Sequence, residues 1–177
     1  MPHSVLDLFV LSLLDRGLET PYDLHRQGRL SLGSTVPALR RLETAGLVRK
    51  KAPVGSSKRP RHSFQLSAAG RKLAHGGWIP LLKDGPPSDF DAVLRLADMA
   101  QHYRARPADI VTFLEAAASE RRSSARSAVS RPHEMRDSFG LVATREAWDV
   151  ARLKAETKFL EGLAKSFRQN HTSALKR

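Results

Sequence analysis

Residues 31–72 read SLGSTVPALRRLETAGLVRKKAPVGSSKRPRHSFQLSAAGRK. A cap at Ser34 opens an amphipathic helix over 34–45, with Pro37 in its first turn and Gly46 at its left-handed stop. Leu39 and Leu42 supply its buried side, joined by either Thr35 or Val36. Two strand-like runs, Leu47-Val48 and Phe64-Gln65-Leu66, flank PVGSSKRP, whose Gly, Ser and Pro content suits a hairpin tip. Ser67 then caps a new helix. Helix, hairpin and helix in that order describe a winged helix-turn-helix, a fold that presents one helix and one hairpin to a nucleic acid. Ten residues of the stretch are basic and only Glu43 is acidic. That polarity suits a polyphosphate partner better than a catalytic cleft.

Upstream, Leu6, Phe9, Val10, Leu13 and Leu14 recur at helical spacing over residues 4–15, with Ser4 as N-cap and Arg16-Gly17 as the stop. Thr20 caps a second helix with Pro21 in its first turn, and Gly28 and Gly33 bracket a short connection to the third. Downstream, Pro80, Gly85, Pro86 and Pro87 break the pattern between 78 and 87 and mark a boundary. We therefore expect a DNA-binding domain over 1–84 and a helical C-terminal dimerisation domain over 85–177, mainly α with a small β-hairpin, an α+β class.

In the second half, Ser88 or Asp89 opens a helix that ends near Tyr103, and Pro107 starts another. Residues 119–138 are Arg/Ser-rich and read as a mobile or helix-extending linker. Thr144 caps a long helix to about Asn170. Its seam of Val150, Leu153, Thr157, Leu160, Ala164 and Phe167 follows a heptad and wants a partner helix. A second stripe of Trp148, Ala155, Phe159 and Leu163 lies beside it. Two stripes imply contact on two sides, and the expectation is a homodimer interface along the seam.

The 177-residue chain carries a formal net charge of +12. Fourteen basic and six acidic residues lie at or before Asp84, sixteen and twelve after it, so the excess is concentrated where the motif lies. The sequence has no cysteine, which excludes disulfides, thiol chemistry and cysteine-ligated zinc. The start, MPHS, has neither a basic leader region nor a cleavage site, and no apolar run approaches the ~20 residues that span a bilayer. A cytoplasmic protein without a membrane is expected. Seven histidines are scattered without metal-binding spacing, and no nucleophile elbow, phosphate loop or dinucleotide fingerprint occurs. The expectation is no enzyme, no catalytic residues, no metal and no cofactor.

The motifs LFVLSLLDRG, PYDL at 21–24, GSTVPALRRLETAGLV at 33–48 and KRPRHSFQLSAAGRK at 58–72 occur in an order that resembles the PadR-like winged helix-turn-helix regulators over roughly residues 5–73. Pro21 stands where that family has Gly, and Thr35-Val36 where it has Leu-Tyr. The resemblance implies a bacterial, DNA-binding repressor of transcription that forms a homodimer largely through its last helix. It also implies, for some members, a small aromatic effector, for which Trp78, Trp148 and Phe159 are the candidate lining, although core packing is the first reading of each of the three.

Base and phosphate contacts are expected from named residues. Arg40 is assigned to a guanine or a phosphate, because a guanidinium bridges guanine O6 and N7. Arg41 is assigned to phosphate. Val36 packs either on a thymine methyl or in the core, Ser34 either contacts DNA or is spent as a cap, and Pro37 lies on the same outward face. Tyr22 either donates to a phosphate or fills core. Arg49, Lys50 and Lys51 start the wing and Lys58, Arg59 and Arg61 end it, within a basic segment over 49–62 meeting phosphates or the minor groove. The rival readings are a winged helix that docks an acidic protein, and an architectural DNA-binding protein without sequence preference.

Overall fold

The computed structural model describes residues 3–51, 62–129 and 141–174, and their side chains apart from those of 141–143 and 170–174. The chain divides into two compact units, Met1–Leu81 with Asp98–Tyr103, and Leu82–Ala97 with Arg104–Arg177. The first is a winged helix-turn-helix and the second is helical.

The first unit is built around α1 (Val5–Asp15), whose run VLDLFVLSLLD is apolar nearly all round. Such a helix is stable only when surrounded. α3, α4 and β2 pack on it, and Leu8, Val10, Leu11 and Leu13 are at most 4% exposed. The Ser4 hydroxyl accepts the Asp7 N–H at 3.1 Å, and Gly17, at φ 89°, turns the chain out. α2 (Pro21–Arg26) starts with a reciprocal cap: Thr20 Oγ1 accepts the Asp23 N–H at 3.1 Å while the Asp23 carboxylate accepts the Thr20 N–H at 3.2 Å.

α3 (Leu32–Thr44) begins two residues before the expected helix, and its cap is Ser31 rather than Ser34. Ser31 has extended backbone (ψ 144°), yet its carbonyl already accepts the Thr35 N–H at 2.9 Å, so helical bonding is running before Ser34 is reached. Pro37 therefore lies inside the helix, where its missing N–H deprives α3 of the bond to the Gly33 carbonyl. Thr35, Ala38, Leu39 and Leu42 form the buried face.

β1 (Val48–Lys51) pairs antiparallel with β2 (Ser63–Leu66) in the register Val48↔Leu66, Arg49↔Gln65, Lys50↔Phe64 and Lys51↔Ser63. The Phe64 N–H donates to the Glu19 carbonyl at 2.8 Å, which ties β2 to the link between α1 and α2. α4 (Ala68–Gly76) is capped by Ser67, whose hydroxyl accepts the Gly70 N–H at 3.0 Å. A Cβ at Gly70 would stand 2.0 Å from the Leu47 carbonyl oxygen, so glycine is what lets α4 lie against the entry to the hairpin.

Residues 78–83, expected as broken chain, form a short helix, α5 (Trp78–Lys83). Pro80 falls in its first turn, where a missing N–H costs nothing. Trp78 is buried, donates its indole N–H to the His75 carbonyl at 3.1 Å and stacks on Tyr103. Tyr103 ends the chain that leaves α6 (Phe90–His102), whose last turn belongs to this unit. Arg16 donates to Asp98 at 2.6 Å, and the Tyr103 hydroxyl donates to Asp15 at 3.3 Å. Burial raises the pKa of Tyr103 and lowers that of His102. These contacts explain why residues 98–103 join the first unit, although Pro86 and Pro87 precede them.

In the second unit α7 (Pro107–Val129) and α8 (Leu141–Ala174) pack along each other. α7 runs through 119–129, so that part of the expected linker is helix; residues 130–138 lie outside the described residues. That is the helix-extending alternative, and Arg121 shows what holds it. This residue is 4% exposed, donates to Glu156 of α8 at 2.9 Å and to the carbonyls of Ala117 and Ser88 at 3.2 Å each, and lies over the Phe90 ring. A buried guanidinium is tolerable only when paired and bonded in this way. α8 starts at Leu141, which makes Thr144 an interior residue rather than a cap.

The α8 seam divides in two by burial. Thr157, Leu160 and Ala164 are buried within this one chain, where α8 packs on α7. They have no surface left for a second copy, while Val150, Leu153 and Phe167 are half-buried. The neighbouring stripe is open: Trp148 and Phe159 are exposed, as is Ala155.

Candidate nucleic-acid interface

The buried face of α3 settles what its outward face can be. With Thr35 fully buried and its hydroxyl given to the Ser31 carbonyl at 2.7 Å, Val36 turns outward, against the core role that sequence left open for it. Pro37, Arg40 and Thr44 share that exposed side. Ser34 is half-buried, and its hydroxyl donates back to the carbonyl of the cap residue Ser31 at 3.0 Å. Tyr22, at the start of α2, is exposed and not core.

The cations of this face differ in what holds them. Arg40 is exposed and pairs with no carboxylate among the described residues. Arg41 instead donates to Asp7 on α1 at 2.7 Å, and that carboxylate is largely buried. The phosphate role expected for Arg41 therefore competes with an internal one.

The hairpin sorts its own cations by pleat. Successive side chains alternate between faces, so Lys50 shares a face with buried Val48 and reaches back to Glu43 of α3 at 3.4 Å. Arg49 takes the other face, exposed, without a carboxylate partner among the described residues. Lys51 pairs with Glu19. Lys58, Arg59 and Arg61 lie outside the described residues. Among the candidates described, Arg40 and Arg49 are thus the cations left for an external anion.

Sequence reading passed over Arg29. It lies in the turn between α2 and α3 with an exposed side chain, and its backbone is left-handed at φ 53°. That conformation costs a non-glycine residue ~1–2 kcal/mol, and Arg104 shares it at φ 57°. The signal available was a lone basic residue between Gly28 and the next helix.

The aromatic candidates do not share a unit. Trp78 is buried in the first, whereas Trp148 and Phe159 are exposed on α8 of the second, with Phe159 edge-on to Phe90. Among the described residues no group of three His, Cys, Asp or Glu is placed to hold a metal ion, and no helix is long and apolar enough to cross a membrane.

A crystal structure of Bacillus subtilis PadR in complex with operator DNA is similar over 92% of this chain and 99% of that one, at 16% identity and a TM-score of 0.41. No family model matches the sequence, and no curated protein matches it. Function therefore rests on the residues of the site.

Proposed function

We propose that this chain is a sequence-specific DNA-binding regulator of transcription, a homodimeric repressor that lays α3 in the major groove and its basic wing on phosphates or in the minor groove. The observation that carries the reading is the outward face of α3. Val36, Pro37, Arg40 and Thr44 are exposed there, and Arg40 lacks a carboxylate partner among the described residues. The major groove is wide enough for such a helix, and an unpaired guanidinium on it can meet guanine O6 and N7 together. Val36 offers an apolar contact to a thymine methyl. Arg49 and Arg29 supply phosphate contacts on either side, and Tyr22 adds a hydroxyl donor.

The second copy covers the open stripe of α8, with Trp148 and Phe159 at its centre, because the middle of the heptad seam, Thr157, Leu160 and Ala164, is already buried within the chain. Two-fold symmetry then demands pseudo-palindromic half-sites ~34–36 Å apart. Release by a small aromatic effector completes the reading. Trp148 and Phe159 are the exposed aromatics available to it, and Trp78 remains a core residue of the first unit.

Duplex affinity measured against salt tests the reading. A dimer making about eight phosphate contacts gives a slope of log K on log salt near −7. A slope near zero contradicts direct duplex binding.

A further inference from the structure

The α7–α8 pair holds a groove of about 650 Å³ that the DNA-binding reading does not use. Its walls carry Arg122 and Arg126 from α7 and Lys154 and Lys158 from α8, and its one carboxylate is Glu161. Glu161 pairs with Arg122 across the two helices. Lys154 and Lys158 are exposed, one turn apart on α8, and pair with no carboxylate among the described residues. Like charges at that spacing repel one another. An anion placed between the helices would relieve that repulsion.

The remainder of the lining is apolar. Ala125 is buried at the floor, and the Thr157 hydroxyl is spent on the Leu153 carbonyl at 2.7 Å. Val129, at the end of α7, is 67% exposed, a branched apolar side chain with its surface in water. A purely inorganic anion would satisfy the lysines and leave Val129 uncovered. A neutral apolar molecule would cover Val129 and leave the cations as they are. Only a molecule with both parts answers both.

We propose that this groove is a binding site for an amphipathic organic carboxylate, its head on Lys154 and Lys158 and its acyl body on Ala125 and Val129. The volume is in the range of small-ligand sites. The groove opens on the α7 side of α8, its Lys158 also bordering the surface of Ala155 and Phe159, and its occupancy stands whether or not the chain binds DNA.

Calorimetric titration of the full chain with octanoate tests it, with acetate as the head alone and octan-1-ol as the body alone. The expected result is saturable binding of one octanoate per chain, at least tenfold tighter than either control. Lys154→Gln combined with Lys158→Gln is expected to weaken octanoate at least tenfold, while Lys165→Gln, an exposed change elsewhere on α8, leaves it unaltered. Octanoate should also raise the thermal midpoint of the wild type and not of the double variant, because only a native-state ligand stabilises. Octanoate no tighter than acetate means adventitious ion pairing and overturns the proposal. Equal binding by wild type and double variant overturns it as well.

Discussion

The guanidinium of Arg41, on α3, donates to the carboxylate of Asp7, on α1, at 2.7 Å, joining residues 34 positions apart. Asp7 has 10% of its side chain exposed and Arg41 has 55%, so the carboxylate depends on its partner more than the guanidinium does. The pair fixes the rotation of α3 against α1, and so which residues of α3 look outward. Arg41 is on this account a positioning residue. Arg41→Ala is expected to cost about 1–2 kcal/mol of stability, between the values for exposed and buried pairs. Denaturant titration with Asp7→Asn and the double variant should show coupling between the two. Unchanged stability with a lost phosphate contact would restore Arg41 to the DNA surface.

Gly70 makes a second test of the wing's mounting. Gly70→Ala forces a Cβ against the Leu47 carbonyl and is expected to destabilise the chain by about 2–3 kcal/mol, as overpacking does. Gly76→Ala, in the same helix with nothing within 4 Å of the added carbon, should be neutral or stabilising by up to ~1 kcal/mol. Thermal melts of the two variants give the comparison.

Much of the first unit was legible because its signals are short-range. Ser4, Thr20 and Ser67 cap as their positions imply, since a cap needs only its own next three residues. Ser34 was misassigned because Ser31 lies one turn earlier and both hydroxyls belong to one network. Longer-range features were not legible. A heptad announces a partner helix without saying whether it lies in the same chain, and the reach of α7 past residue 118 stayed open because its buried row passes from Ala117 through Arg121 to Ala125. An arginine in that row makes a core helix look like solvated linker. The counter-ions Asp7 and Glu19 divided the basic residues in a way that only the fold reveals.

On the proposed reading, a second copy covers the open α8 stripe. Trp148→Glu and Phe159→Glu are expected to convert the dimer to monomer in sedimentation equilibrium with the helical content retained. Each places a charge on a surface that the single chain leaves exposed. A dimer that survives both changes would return the interface to another face.

Arg29 separates stability from function. Arg29→Gly removes the left-handed strain and is expected to leave stability unchanged or raise it by ~1 kcal/mol. The same variant should bind every duplex more weakly and reduce the salt slope by about 1, the signature of one lost phosphate contact. Undiminished duplex affinity would leave the strain without a function.

Arg40 bears the central claim. Gel mobility of wild type and Arg40→Ala on selected and random duplexes, at matched salt, measures its role in base readout. The account requires tight binding of selected sites by the wild type and a discrimination reduced by about 1–3 kcal/mol in Arg40→Ala, the worth of one bidentate base contact. Equal affinity of the wild type for selected and random duplexes would contradict it and leave an architectural basic protein. No duplex binding at low salt would contradict it outright.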